Sequence, residues 1–182
     1  MVYIFAGIAK INSDWLFDAQ PLKTWLQAHH NLPIVGGYLQ ESWSAFVFSW
    51  VGCVYDLFIV FFLLSNRFRP FAYFAVVFFH IITWYLFPIG VFPWVMIFST
   101  LIFFSANFHE RILTFLGQVF RKQKQTNETS SPLKKNAVIK YFLILYITLQ
   151  LLIPFRYILY PGNLFWNEEG FRFSWRVMLM HK

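Results

Sequence analysis

Trp43-Ser44-Ala45-Phe46-Val47-Phe48-Ser49-Trp50-Val51-Gly52-Cys53-Val54-Tyr55-Asp56-Leu57-Phe58-Ile59-Val60-Phe61-Phe62-Leu63-Leu64 decides the fold. Asp56 is its only charge. As a helix this stretch is roughly 33 Å long, enough to cross a hydrocarbon layer of roughly 30 Å. A basic turn, Ser65-Asn66-Arg67-Phe68-Arg69, ends it, and three further apolar runs follow at 70–87, 91–106 and 137–155. Pro88-Ile89-Gly90 turns the chain between the second and third runs. Ahead of them, residues 1–11 make an apolar half-span of roughly 16 Å.

The spacing predicts an all-α fold: a multi-pass transmembrane helical bundle of about four full spans plus an N-terminal half-span, with interfacial amphipathic helices. Residues 14–42 mix Trp15, Leu22, Trp25 and Leu26 with Asp18, Lys23, His29 and His30, which suits an amphipathic segment in the interface. Pro21 suits its helix start, and Pro33 with Gly36-Gly37 breaks it. Residues 107–120 read as another surface helix, with Ile112, Leu113, Phe115, Leu116, Val119 and Phe120 on one side. Residues 121–136 are polar and Ser/Thr-rich, a flexible cytoplasmic linker within what is otherwise one partial membrane domain, 1–182. The start in mid-span, without a signal-peptide pattern, suggests a fragment, a mis-called start or a chain completed by a partner.

Composition excludes a soluble domain: 58% of residues are hydrophobic, 23% aromatic and only 13% charged. The net charge of +7 does not point to nucleic acid, because the basic residues sit in loops beside apolar runs, where they set topology and meet anionic lipid. A single cysteine, Cys53, rules out a disulfide framework within the chain. Arg67 and Arg69 form one basic cluster, and Arg111, Arg121, Lys122, Lys124, Lys134 and Lys135 another. Two spans separate the clusters, so both fit the cytoplasmic side. The Lys10 end of the half-span, the Pro88 turn and everything after 155 then face outward. Asn127-Glu128-Thr129 is a glycosylation triplet, and this topology predicts that it carries no glycan.

Lys10 sits where the half-span surfaces, followed by Asn12, Asp14 and Trp15. Two readings stand. A lysine at a membrane end snorkels its charge to the headgroups; partial desolvation also disfavours an ammonium, so such a lysine can present a neutral amine as a base. Asp56 and His80 are ionisable groups inside spans. Counted from their shared turn they lie roughly 12 and 15 Å up, which suits a buried acid–imidazole pair, functional or simply joining two helices. On the same count Lys10 lies near the far surface, and Asp56 is a poor direct partner for it. Gly52-Cys53 suits close helix packing. No metal site is expected: His29 and His30 are adjacent, so they point about 100° apart on a helix, with no further Cys/His cluster nearby. Phosphate-binding loops and the GxSxG motif are absent. After the last span, Trp166, Arg172, Ser174, Trp175 and Arg176 interleave polar and aromatic groups. An interfacial aromatic belt accounts for that pattern, and so does an anion site, because Arg172 and Arg176 stand on the side the topology rule disfavours.

Four blocks in order resemble the vitamin K-dependent gamma-glutamyl carboxylase family, also called HTTM-domain proteins, with the bacterial members most similar. They are Ala6-Gly7-x-x-Lys10-x-x-x-Asp14-Trp15; Gly52-x-x-x-Asp56-Leu57; His80 followed by Leu86-Phe87-x-Ile89-Gly90-x-Phe92-x-x-x-Met96; and Leu149-Gln150-Leu151-x-Ile153-Pro154 with Trp166 and Phe173-Ser174-Trp175. The resemblance implies that Lys10 is the base deprotonating reduced vitamin K, a cosubstrate used with O2 and CO2 and without a metal. It implies oxidation of the quinol to its epoxide, coupled to carboxylation of protein glutamate. His80, Trp166, Ser174, Trp175, Arg172 and Arg176 would then shape the quinol or glutamate pocket. The implied partners are membrane lipid, a lipid quinol and a glutamate-containing protein. The implied place is an integral membrane protein, of the bacterial inner membrane, with its active face extracytoplasmic.

The family pattern also has further spans ahead of the lysine, contributing a histidine and an asparagine, and a soluble β-rich domain after the Ser-Trp block. On this comparison the chain corresponds to the central membrane part of such an enzyme, truncated at both ends and inactive alone. Phe171 stands where the family has a tyrosine, and His181 lies one place beyond a family histidine. The alternative is a non-catalytic quinone-binding or assembly module. A small proton-coupled transporter using Asp56 and His80 ranks last, for want of duplicated, interrupted helices.

Overall fold

The structure is a computed structural model, which describes residues 1–119, 137–161 and 173–175. Every regular element among the described residues is helical: α1 (Val2–Ala9), α2 (Ser13–Leu16), α3 (Leu22–Gln27), α4 (Gly36–Gln40), α5 (Ser42–Leu64), α6 (Arg69–Leu86), α7 (Phe92–Ser99), α8 (Ala106–Val119) and α9 (Ala137–Leu152). Among the described residues three runs are long and apolar enough to cross a membrane: Ser42–Leu64, Arg69–Leu86 and Ala137–Leu159, the last of which continues α9 through a 3-10 segment. The bent pair Phe92–Phe103 with Ala106–Gln118 is a fourth candidate. The chain is a helical membrane bundle. The linker read at 121–136, with its Asn127 triplet, lies outside the described residues.

α5 is the bundle's axis. Its buried residues include Ser49, Gly52, Cys53, Asp56, Ile59 and Leu63, and at helical spacing they form one stripe. The small members of that stripe let a neighbouring backbone come close. α1 takes the position, running antiparallel to α5: Gly7 lies against Leu57, and Cys53 Sγ is 3.7 Å from the Gly7 carbonyl oxygen. A Cβ at Gly7 would stand 2.8 Å from the Leu57 side chain and 3.0 Å from its backbone nitrogen. Gly7→Val is therefore expected to cost about 1–3 kcal/mol in unfolding from detergent micelles, as overpacking does. A loss below about 0.5 kcal/mol would mean that α1 and α5 part without penalty.

Two apolar clusters hold the bundle. One gathers Tyr3, Ile59, Leu63, Ala72, Val76 and Met96, from the start of α1, the end of α5, the start of α6 and α7. The other includes Ala9, Trp15, Leu22, Leu26, Leu86 and Phe87, joining the opposite ends of α1 and α6 to the segment between. That segment differs from the expectation for 14–42. It is three short helices folded over the end of α5, with Trp15, Leu22 and Leu26 buried in the core. Gly36-Gly37, read as a breaker, opens α4.

The third expected span, 91–106, is also different. α7 tightens into a 3-10 turn at Thr100–Phe103, and α8 departs at 119°. Helix 92–103 is only roughly 20 Å long, too short to span alone. At the 3-10 turn the Thr100 and Ser99 hydroxyls both donate to the Met96 carbonyl, at 2.6 and 3.3 Å, alongside the Thr100 amide, a side-chain bonding pattern that favours a bend. α9 stands apart. None of its residues is buried, and Phe155 beyond it meets Phe5 edge-on at 5.5 Å.

Candidate functional site

Between the two apolar clusters lies a polar layer, which begins at the exit of α1. Asn12 caps α2, accepting from the Trp15 amide at 2.9 Å, and its own amide donates to the Ala9 carbonyl at 2.9 Å. This elbow aims Trp15 at α5. Trp15 Nε1–H donates to the Ser49 carbonyl at 3.0 Å, and the Ser49 hydroxyl donates back to the Trp15 carbonyl. Trp50 Nε1–H donates to the Leu16 carbonyl at 3.1 Å. The elbow is thus fastened to two successive residues of α5.

Lys10 caps the C-terminus of α1 and is 9% exposed. Its Nζ forms an ion pair with the Asp56 carboxylate and sits 5.5 Å from the Trp15 ring centroid. Two expectations change here. Asp56 is the direct partner of Lys10, and it does not hydrogen-bond His80. Helix rise places Cα atoms and ignores side-chain reach. The Lys10 backbone lies between the levels of Leu57 and Ser49 on α5, about a turn from Asp56. A helical Cα–Cβ bond tilts toward the N-terminus, here toward the bundle's middle, so the four-carbon stem runs back to the carboxylate rather than out to the surface.

His80 is 3% exposed, and its Nδ1 is 2.9 Å from the Val76 carbonyl oxygen. A carbonyl can only accept, so Nδ1 carries the hydrogen and Nε2 of the neutral ring is an acceptor. Tyr3 packs edge-on against the ring at 6.0 Å and places its hydroxyl 3.4 Å from Thr100 Oγ1. The layer faces a cavity of about 80 Å³, where Lys10, Asp56 and His80 meet aromatic walls that include Trp15, Phe48 and Phe87.

Of the residues singled out from sequence, Lys10, Asp56 and His80 come together. Ser174 is buried, flanked by Phe173 and Trp175 in left-handed backbone conformations, φ 65° and 57°. Neither Ser174 nor Trp175 lines the cavity at Lys10. Trp166, Arg172 and Arg176 lie outside the described residues, as do Phe171 and His181. Tyr3, Ser49 and the Trp15–Ser49 hydrogen bonds were not anticipated. For Ser49 the signal was present: Ser49, Gly52, Cys53 and Asp56 fall at i, i+3, i+4 and i+7, a stripe of small and polar residues.

Comparison with known proteins places this geometry. Residues 1–108, which hold the whole Lys10–Asp56–His80 cluster, match the family model of the HTTM domain. Residues 135–182 match that of the vitamin K-dependent gamma-carboxylase lumenal domain. No solved structure matches the chain. With the first model covering more than half of its length, the chain belongs to the HTTM-domain family and is a gamma-carboxylase-family membrane protein.

Proposed function

We propose that the chain forms the base-bearing membrane part of a vitamin K-dependent gamma-glutamyl carboxylase-like enzyme, with Lys10 as the base. The observation that carries this reading is a buried lysine facing a cavity with a carboxylate and an imidazole beside it and aromatic walls around it. When bound, reduced vitamin K supplies the oxidisable ring whose reaction with oxygen drives γ-proton removal from a protein glutamate, to which carbon dioxide adds.

The residues present fit such a ligand chemically. Lys10 Nζ is placed to receive a hydroxyl proton, and the His80 Nε2 lone pair can accept a hydrogen bond from a hydroxyl. Trp15, Leu22 and Phe87 close the cavity at the capped end and exclude water from the amine. The volume is about half that of an engineered cavity which takes benzene. A bicyclic ring would need the half-buried walls Val2, Ala6, Phe48 and Phe79 to part. Trp166, Ser174, Trp175, Arg172 and Arg176 are assigned to the glutamate or quinol pocket by the resemblance, with the active face extracytoplasmic. The second matched model is that of a lumenal domain, which supports that side for the tail.

A non-catalytic quinone-binding or assembly module is the second reading. It is favoured by α9, whose unburied sides leave an apolar surface for lipid or another helix. The two separate in one assay. Membranes from cells expressing the full-length gene are given isotopically labelled carbon dioxide, a glutamate peptide, oxygen and reduced vitamin K. Label in the peptide that requires the quinol supports the enzyme; quinol binding without label supports the module.

A further inference from the structure

An ion-paired lysine is an ammonium, and an ammonium has no lone pair with which to take a proton. Asp56 resolves this conflict. It is 4% exposed, and among the described residues Lys10 is its one hydrogen-bond donor. Among the described residues no other Lys, Arg, Asp or Glu lines the cavity; the remaining titratable groups there are Tyr3 and His80, with Cys53 and Tyr55 beside them on α5. Burying two ions costs the hydration of both, and that cost is relieved when a proton passes between them, since the products are neutral and keep their hydrogen bond.

We propose that Asp56 is the residue that turns Lys10 into a base, by taking the ammonium proton when a hydroxyl-bearing ligand enters the cavity. An Nζ–H bond breaks and an O–H bond forms on Oδ2, leaving an amine and a carboxylic acid. The amine then takes the ligand's hydroxyl proton: that O–H bond breaks and an N–H bond forms. The outcome is an ammonium facing an oxyanion, with one proton parked on Asp56. When the product leaves, the Asp56 carboxyl gives its proton to water, and the carboxylate pairs again with the Lys10 ammonium. Asp56 acts through Lys10 and is a positioning residue for the proton.

This rests on the reading of Lys10 as the base, and it makes a prediction that a simple electrostatic clamp reverses. If the carboxylate only held the ammonium in place, Asp56→Asn would free the amine and leave carboxylation equal or higher. The relay predicts instead that Asp56→Asn lowers turnover about 100-fold, the scale of lost acid–base catalysis, with KM for reduced vitamin K changed less than about threefold. Asp56→Glu keeps an acceptor and should retain at least about tenfold more turnover than the amide variant. The readout independent of turnover is infrared difference spectroscopy on the full chain in lipid, with and without reduced vitamin K. A protonated-carboxyl band that shifts on aspartate isotope labelling, and is missing from Asp56→Asn, is expected on binding. An unchanged or faster Asp56→Asn, or no such band in the wild type with quinol bound, overturns the relay. If the wild type shows the band but never carboxylates, the relay stands and the enzymatic assignment falls. A chain that binds no reduced vitamin K overturns both.

Discussion

Lys10→Ala is expected to lower carboxylation by about 10²- to 10⁴-fold and to destabilise the bundle as well. The second effect follows from the partner left behind: Asp56 would be buried without its ion-pair partner, and breaking a buried pair costs about 3–5 kcal/mol. The two effects can be separated. Lys10→Ala combined with Asp56→Ala removes the stranded carboxylate, so unfolding stability should recover in part while activity stays lost. Lys10→Arg keeps a cation for Asp56, yet a guanidinium does not give up its proton in proteins. That variant should fold and bind quinol but fail to carboxylate. Wild-type label incorporation by Lys10→Arg would show that Lys10 is an anchor and that the base lies elsewhere.

Trp15→Ala is the second large effect, about 3–5 kcal/mol of stability by analogy with buried aromatic truncations. Trp15 is 4% exposed and fills the apolar cluster between α1, α3 and α6. Its indole N–H satisfies the Ser49 carbonyl, and its ring carries the Lys10 ammonium at 5.5 Å, which adds about 0.5–2 kcal/mol. Trp15→Phe keeps much of the apolar volume and loses the donor, so it should fall between wild type and alanine, by about 1–3 kcal/mol. Thermal unfolding in detergent gives the order. An alanine variant within about 1 kcal/mol of wild type would mean that the elbow is not held by this residue.

Much of the fold was legible in advance because membrane spanning is a local property. Apolar length and flanking polar turns place 43–64 and 70–87 within one residue of the helices Ser42–Leu64 and Arg69–Leu86. The lysine exit was equally plain, because an ionisable residue at the end of an apolar run is conspicuous wherever the chain goes afterwards. The tightening of α7 into a 3-10 turn before the break after Phe103 was hidden: hydropathy counts Ser99 and Thr100 as tolerable and does not register that their hydroxyls join the Thr100 amide on the Met96 carbonyl. The packing of 14–42 was hidden too, since the same alternation of tryptophan, leucine and charge suits a lipid interface and a protein core alike.

By itself the sequence determined that this is a helical membrane protein with one amine emerging from a short helix, because burial of apolar length leaves a chain few alternatives in lipid. Which acid that amine meets was decided only in three dimensions. Gly7 lets α1 touch α5, the two run antiparallel, and the lysine stem leans back along its own helix to Asp56. No count of residues along either helix contains that approach, because it depends on the distance between two backbones and the tilt of one side chain.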